Sequence, residues 1–155
     1  MIRHLALAVL LAPLSRVALG CTLIVSPEYR ISDQTSIVEP VDASVVAVSF
    51  EPWIRGCDAG LIVVTLRGSP ASELKQQGYF VRPVSGVHPA GSFPVSPLAP
   101  DSSTGDTVSI SWSWDALVRD SDGHVRWRFE IVPVSPSGVL GSPVSACAST
   151  DDSCP

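Results

Sequence analysis

Residues 107–115 alternate with a period of two: Val108, Ile110, Trp112 and Trp114 fall on one side, and Ser109, Ser111, Ser113 and Asp115 on the other. A strand turns successive side chains to opposite faces, so the pattern predicts a strand with one face in a core and one in water. Residues 125–134 repeat it, setting Trp127, Phe129 and Ile131 against Arg126, Arg128 and Glu130. Charges on that outer face discourage stray pairing. Shorter apolar runs predict strands at 45–50, 61–66 and 79–84, and a last one at 139–147 follows the turn Pro136-Ser137-Gly138. With the 21–37 stretch left open, the count is about seven.

Fourteen Pro and eleven Gly punctuate the chain, and no amphipathic helical window of a dozen residues survives outside the first twenty residues. The one short helical candidate is 71–77, after Pro70. Pro83 and Pro133 each interrupt a strand pattern and, lacking an N–H, are expected at an edge or a bulge. Residues 88–101 carry Pro89, Pro94, Pro97 and Pro100 and read as extended chain crossing the domain outside the ladders. Several short strands, closely spaced turns and no crossover helices predict an all-β fold: an antiparallel sandwich, two sheets face to face.

Two stretches carry a family resemblance. Gly78-Tyr79-Phe80-Val81-Arg82-Pro83-Val84-Ser85-Gly86 resembles the third strand of a fibronectin type III module. Phe129-Glu130-Ile131-Val132-Pro133-Val134-Ser135-Pro136-Ser137-Gly138 with Ser142-Pro143-Val144 resembles its final hairpin. The resemblance runs from Cys57 to Cys147 and implies an immunoglobulin-like (fibronectin type III-like) β-sandwich of about seven strands.

The first twenty residues read differently. A basic start (Arg3, His4), an apolar run from Leu5 to Leu14 and the small residues Ala18 and Gly20 match an export signal spanning 1–20, leaving 21–155 as one domain. About ten apolar residues fall short of the roughly twenty a membrane span needs. Val17-Ala18-Leu19-Gly20-Cys21 also resembles a bacterial lipoprotein signal, in which Cys21 would carry a lipid anchor. Either route leads out of the cytosol, to a periplasmic or extracellular location or to the membrane surface, where disulfides persist. Four cysteines, Cys21, Cys57, Cys147 and Cys154, allow three pairings. One pairing closes a short loop between Cys147 and Cys154, worth about 2.5 kcal/mol in the chain-entropy model, and joins Cys21 to Cys57 for about 3.8. Another ties the ends together through Cys21 and Cys154.

Charge narrows the partners. Ten basic residues face fifteen acidic ones, and loss of Arg3 and Arg16 with the signal would leave eight against fifteen, a net charge near −7. Nucleic acid is a poor partner for such a chain, which has a single Lys. No cofactor motif and no C-x-x-C metal signature occurs, and no Gly-x-Ser-x-Gly elbow marks a hydrolase. A small secreted hydrolase would need His88 or His124 to face a Ser and an Asp. Six residues stand out as candidate contacts: Trp53 in a loop signal before Cys57, His88 and Phe93 in the proline-rich crossing, and Asp120, Asp122 and His124 in the turn after residue 119. Trp112, Trp114 and Trp127 sit at core phase, so Trp53 is the tryptophan left over for a ligand such as a sugar ring. The expected function is a non-enzymatic exported module binding a protein or glycan of the envelope or exterior, with a lipid-anchored structural protein of the envelope as the alternative.

Overall fold

The alternating segments pair as their side chains require. In the computed structural model, which describes residues 22–32, 36–54, 57, 59–114 and 121–154, the strands are β1 (Ser44–Ile54), β2 (Ala59–Arg67), β3 (Gly78–Ser85), β4 (Ser102–Thr104), β5 (Thr107–Trp114), β6 (Arg126–Val134) and β7 (Val144–Ser149). They form two antiparallel sheets, ordered β1-β2-β5-β4 and β3-β6-β7. Among the described residues the one helix, α1 (Ala71–Leu74), is a single turn, shorter than the 71–77 the sequence suggests. Among the described residues no helix is long and apolar enough to cross a membrane.

The inward residues of both sheets meet in one core. Ile62, Val64, Leu66, Ile110, Trp112 and Trp114 come from the first sheet, and Tyr79, Val81, Trp127, Phe129 and Ile131 from the second. Three predicted core tryptophans are accordingly buried, at 0–4 % exposure. Across the gap the Trp114 and Trp127 rings lie 4.9 Å apart at 68°, and Trp112 meets Phe129 edge-on at 5.5 Å. Edge-to-face contact sets the positive ring rim against the negative ring face, adding about 0.5–1.5 kcal/mol per pair beyond burial. Phe50 of β1 stacks on Trp114 at 5.3 Å.

Three expectations change. The seventh strand is Ser102–Thr104, turning through Gly105 into β5, and within the described residues of the 21–37 stretch Glu28 makes only an isolated bridge to Leu98. β7 begins at Val144, five residues later than the apolar run suggested, because Leu140 bridges Val134 and Gly141 donates to the Pro133 carbonyl before the ladder starts. The proline-rich crossing does enter a ladder once, where Leu98 pairs with Tyr79 on the outer side of β3.

The two strand prolines resolve differently. Pro83 lies in β3, at one side of its sheet, next to a register shift between Pro83 and Ser85, as a missing N–H demands. Pro133 lies in β6, the central strand, against expectation. It is tolerated because the β6–β7 register ends at Ile131, so no ladder bond on that side asks for its N–H.

Side-chain amides and hydroxyls tie in the chain that has no ladder. Gln77, 2 % exposed, accepts from the Val41 N–H at 2.9 Å and donates to the Val41 carbonyl at 3.0 Å, imitating a strand partner for the lead into β1. Tyr79 Oη accepts from Gln77 and donates to the Leu74 carbonyl at 3.0 Å, locking α1 to the start of β3. Burial pushes the Tyr79 hydroxyl up to about 12.

Gly60 stands opposite Trp114 in the β2–β5 register, and a Cβ there would lie 2.2 Å from the indole ring. A Gly60→Ala variant is therefore expected to lose about 1–3 kcal/mol of unfolding free energy by overpacking. Urea denaturation beside the wild type measures it; an unchanged midpoint would mean that Trp114 can move aside.

Candidate functional site

Trp53 sits near the end of β1, where the hairpin to β2 turns and the Cys57 N–H donates to the Ile54 carbonyl. Its exposure is 56 %, and it is the largest of the exposed apolar side chains. The alternation of β1 explains this: Phe50, Pro52 and Ile54 take the half-buried positions, so Glu51 and Trp53 face out. Cys57, four residues on, is disulfide-bonded. Cys21, the partner expected for it, lies outside the described residues, as does the expected signal over 1–20.

His88 and Phe93 are brought together, their rings edge-on at 5.1 Å. Phe93 also packs on Trp127, Phe129 and Trp112 at 5.6–6.0 Å, so its ring closes the core more than it faces a ligand. The segment carrying them covers one side of the core and accepts both central indole N–H groups: Trp112 Nε1 donates to the Ser92 carbonyl at 3.0 Å and Trp127 Nε1 to the Val87 carbonyl at 2.8 Å. A cleft of about 250 Å³ remains on its outer side, lined by Pro83, His88, Phe93 and Val95 among others.

Asp122 and His124 belong to a different group, one the sequence reading did not assemble. Cys147 pairs with Cys154, with Cα atoms 5.9 Å apart, which excludes the Cys21–Cys154 pairing. The small ring so closed presents Asp151 to Arg126 at the start of β6: Nη2 to Oδ2 is 2.5 Å and Nε to Oδ2 3.1 Å. Ser149 and Ser153 donate their hydroxyls to Asp151 Oδ1 at 2.5 and 2.7 Å. Asp122 reaches Arg126 Nη1 at 3.3 Å, while His124 Nδ1 lies 3.4 Å from Thr150 Oγ1 and 3.9 Å from Asp151. Asp120 lies outside the described residues.

Although the cluster holds a histidine, an aspartate and serines, their order is that of a clamp. In a nucleophilic relay the serine hydroxyl meets the imidazole and the imidazole meets the acid. Here Ser149 and Ser153 donate straight to the carboxylate, whose other oxygen is taken by the guanidinium. The one signal for this group in the sequence was the short cysteine loop, rich in Ser, Thr and Asp, which had no visible partner until β6 was placed beside it. Among the described residues no group of three or more His, Cys, Asp or Glu side chains is arranged to hold a metal ion.

Compared with protein-family models, with curated proteins and with solved structures, the chain matches none.

The Arg126 guanidinium holds the Asp151 carboxyl well below the usual carboxylate range, and the Ser149 and Ser153 hydroxyls add to the effect. A carboxyl depressed in the folded state contributes stability above the unfolded-state value, roughly 3.9, and loses it progressively as pH falls from there through the folded value. Thermal melts between neutral pH and acid should therefore show the wild-type Tm falling more steeply below about pH 4 than that of Asp151→Asn. Parallel curves would mean the ion pair contributes nothing to folding.

Proposed function

We propose that the protein is an exported, non-enzymatic binding module with an immunoglobulin-like sandwich fold, and that Trp53 is its principal contact residue. The exposure of Trp53 carries the reading. A ring of that size left 56 % exposed, while the other three tryptophans are enclosed, forgoes several kcal/mol of burial at about 25 cal/mol/Å². A flat apolar face with one N–H donor, on a hairpin end beside a disulfide-bonded cysteine, is suited to a sugar ring or a protein pocket at small entropic cost.

The strand order supports the fold part. Lettered in chain order, β1-β2-β5-β4 and β3-β6-β7 read A-B-E-D and C-F-G, an order that constant-type immunoglobulin domains also have and that favours this reading. The stretch resembling the third fibronectin type III strand forms β3, and the stretch resembling the final hairpin runs from β6 into β7. Export is supported by the disulfide between Cys147 and Cys154, a bond that persists outside the reducing cytosol.

The test is a Trp53→Ala variant, screened with the wild type on glycan arrays and against purified envelope proteins. The expected outcome is a wild-type ligand whose affinity drops about 30-fold, the ~2 kcal/mol of a central aromatic anchor, with Tm unchanged. A ligand bound equally by both proteins removes Trp53 from the site, and turnover of a substrate by the wild type reverses the non-enzymatic reading.

A further inference from the structure

Ser92 is 2 % exposed, and its Oγ is, among the described residues, the one buried side-chain polar atom without a hydrogen-bond partner. Its backbone groups are both used: the N–H donates to the Pro89 carbonyl at 3.2 Å, and the carbonyl accepts from Trp112 Nε1. A buried hydroxyl left without a partner costs stability, so such a group calls for a reason. Ser92 also lines the cleft of about 250 Å³ on the outer side of the proline-rich crossing, with Pro83, Pro89 and the edge-on pair His88 and Phe93. Val95, 96 % exposed, stands at its rim. The lining is mainly apolar and includes, among the described residues, no Asp, Glu, Lys or Arg. A charged ligand would lose its hydration there without a counter-charge, and a sugar would bury more hydroxyls than Ser92 and the His88 imidazole can bond. A hydrocarbon ring suits the walls, since an apolar cavity of about 150 Å³ already takes benzene.

We propose that this cleft binds a small uncharged phenol, its ring against His88 and Phe93 and its hydroxyl bonded to Ser92 Oγ. One hydroxyl on the ligand meets the one orphan hydroxyl of the site, and the rest of the ring meets apolar walls. Access runs through the turn from Pro89 to Ser92. A single backbone bond of 3.2 Å closes that turn, and a Cβ at Gly91, where φ is +84°, would meet nothing within 4 Å. A small outward shift of the turn therefore brings the shielded hydroxyl into contact with the ligand. Trp53 does not line the cleft, so the site goes beyond the ligand reading made for that residue.

Titration with p-cresol and with toluene up to about 5 mM, followed by NMR, tests it. The two ligands share a ring and differ by one hydroxyl. The expected result is that the wild type binds p-cresol about tenfold more tightly than toluene, the worth of one hydrogen bond, with the largest shifts at the His88 and Phe93 rings and the Gly91 N–H. Ser92→Ala should bind toluene as before and p-cresol no better than toluene, with a Tm equal to or above that of the wild type because the orphan hydroxyl is gone. Val95→Glu is the second variant: a carboxylate on the apolar rim should weaken both ligands about tenfold, and Tm should hold because the side chain is exposed. Trp53→Ala should bind both as the wild type does, so failure here and failure of the Trp53 reading are told apart. No binding by the wild type, equal binding of the two ligands, a preference for p-cresol that survives in Ser92→Ala, or shifts centred on Trp53 would each overturn the proposal.

Discussion

The structure depends on getting three indole rings into the space between two sheets while giving the N–H groups of Trp112 and Trp127 an acceptor. Trp112, Trp114 and Trp127, with Phe50, Phe93 and Phe129, form an aromatic layer bridging the sheets. A buried indole N–H left without an acceptor would cost about 1–3 kcal/mol. Trp112 and Trp127 find theirs in the carbonyls of Ser92 and Val87. A strand running there would have committed those carbonyls to a neighbouring strand. An extended, proline-interrupted segment keeps them available, so the proline content of residues 88–101 and the tryptophan content of β5 and β6 answer one constraint.

Side-chain bonds hold the remaining chain where ladders stop. Gln77 holds Val41, Arg126 holds Asp151, and Ser26 and Ser111 both donate to Asp101, drawing the N-terminal segment against β5. The bonds of Gln77 to Val41, Arg126 to Asp151 and Ser26 to Asp101 join residues 36, 25 and 75 apart in sequence. The polar chemistry that catches the eye in the sequence, including His124 and Asp122, is thereby absorbed into holding the C-terminal disulfide ring. What stays outside these networks is Trp53, exposed near the end of β1.

Five of the longer strands and the inward phase of Trp112, Trp114 and Trp127 could be read from the chain, because each is set within a few residues by a period of two and a turn at each end, whereas the Cys147–Cys154 ring was one of three open pairings until the structure joined it. Trp53 stood out as the one tryptophan outside a core-phase run, but it reads as a loop residue in the sequence and lies in β1, which runs to Ile54. The three-residue β4 was not legible, since Ser102-Ser103-Thr104 has neither apolar alternation nor length and becomes a strand only by lying beside β5. Nor was the fate of Phe93, placed among candidate contacts by its proline-rich surroundings and claimed by the core through Trp112, Trp127 and Phe129.

Local pattern, then, determined the all-β class and the inward faces, since these depend on side chains a few residues apart. Tertiary structure decided the strand order, the tolerance of Pro133 inside a central strand and the partner of Asp151. Each of those rests on segments tens of residues apart meeting in space. Which strand lies beside which is settled by how the aromatic layer packs and where its N–H groups find carbonyls, and no local stretch of the chain carries that information.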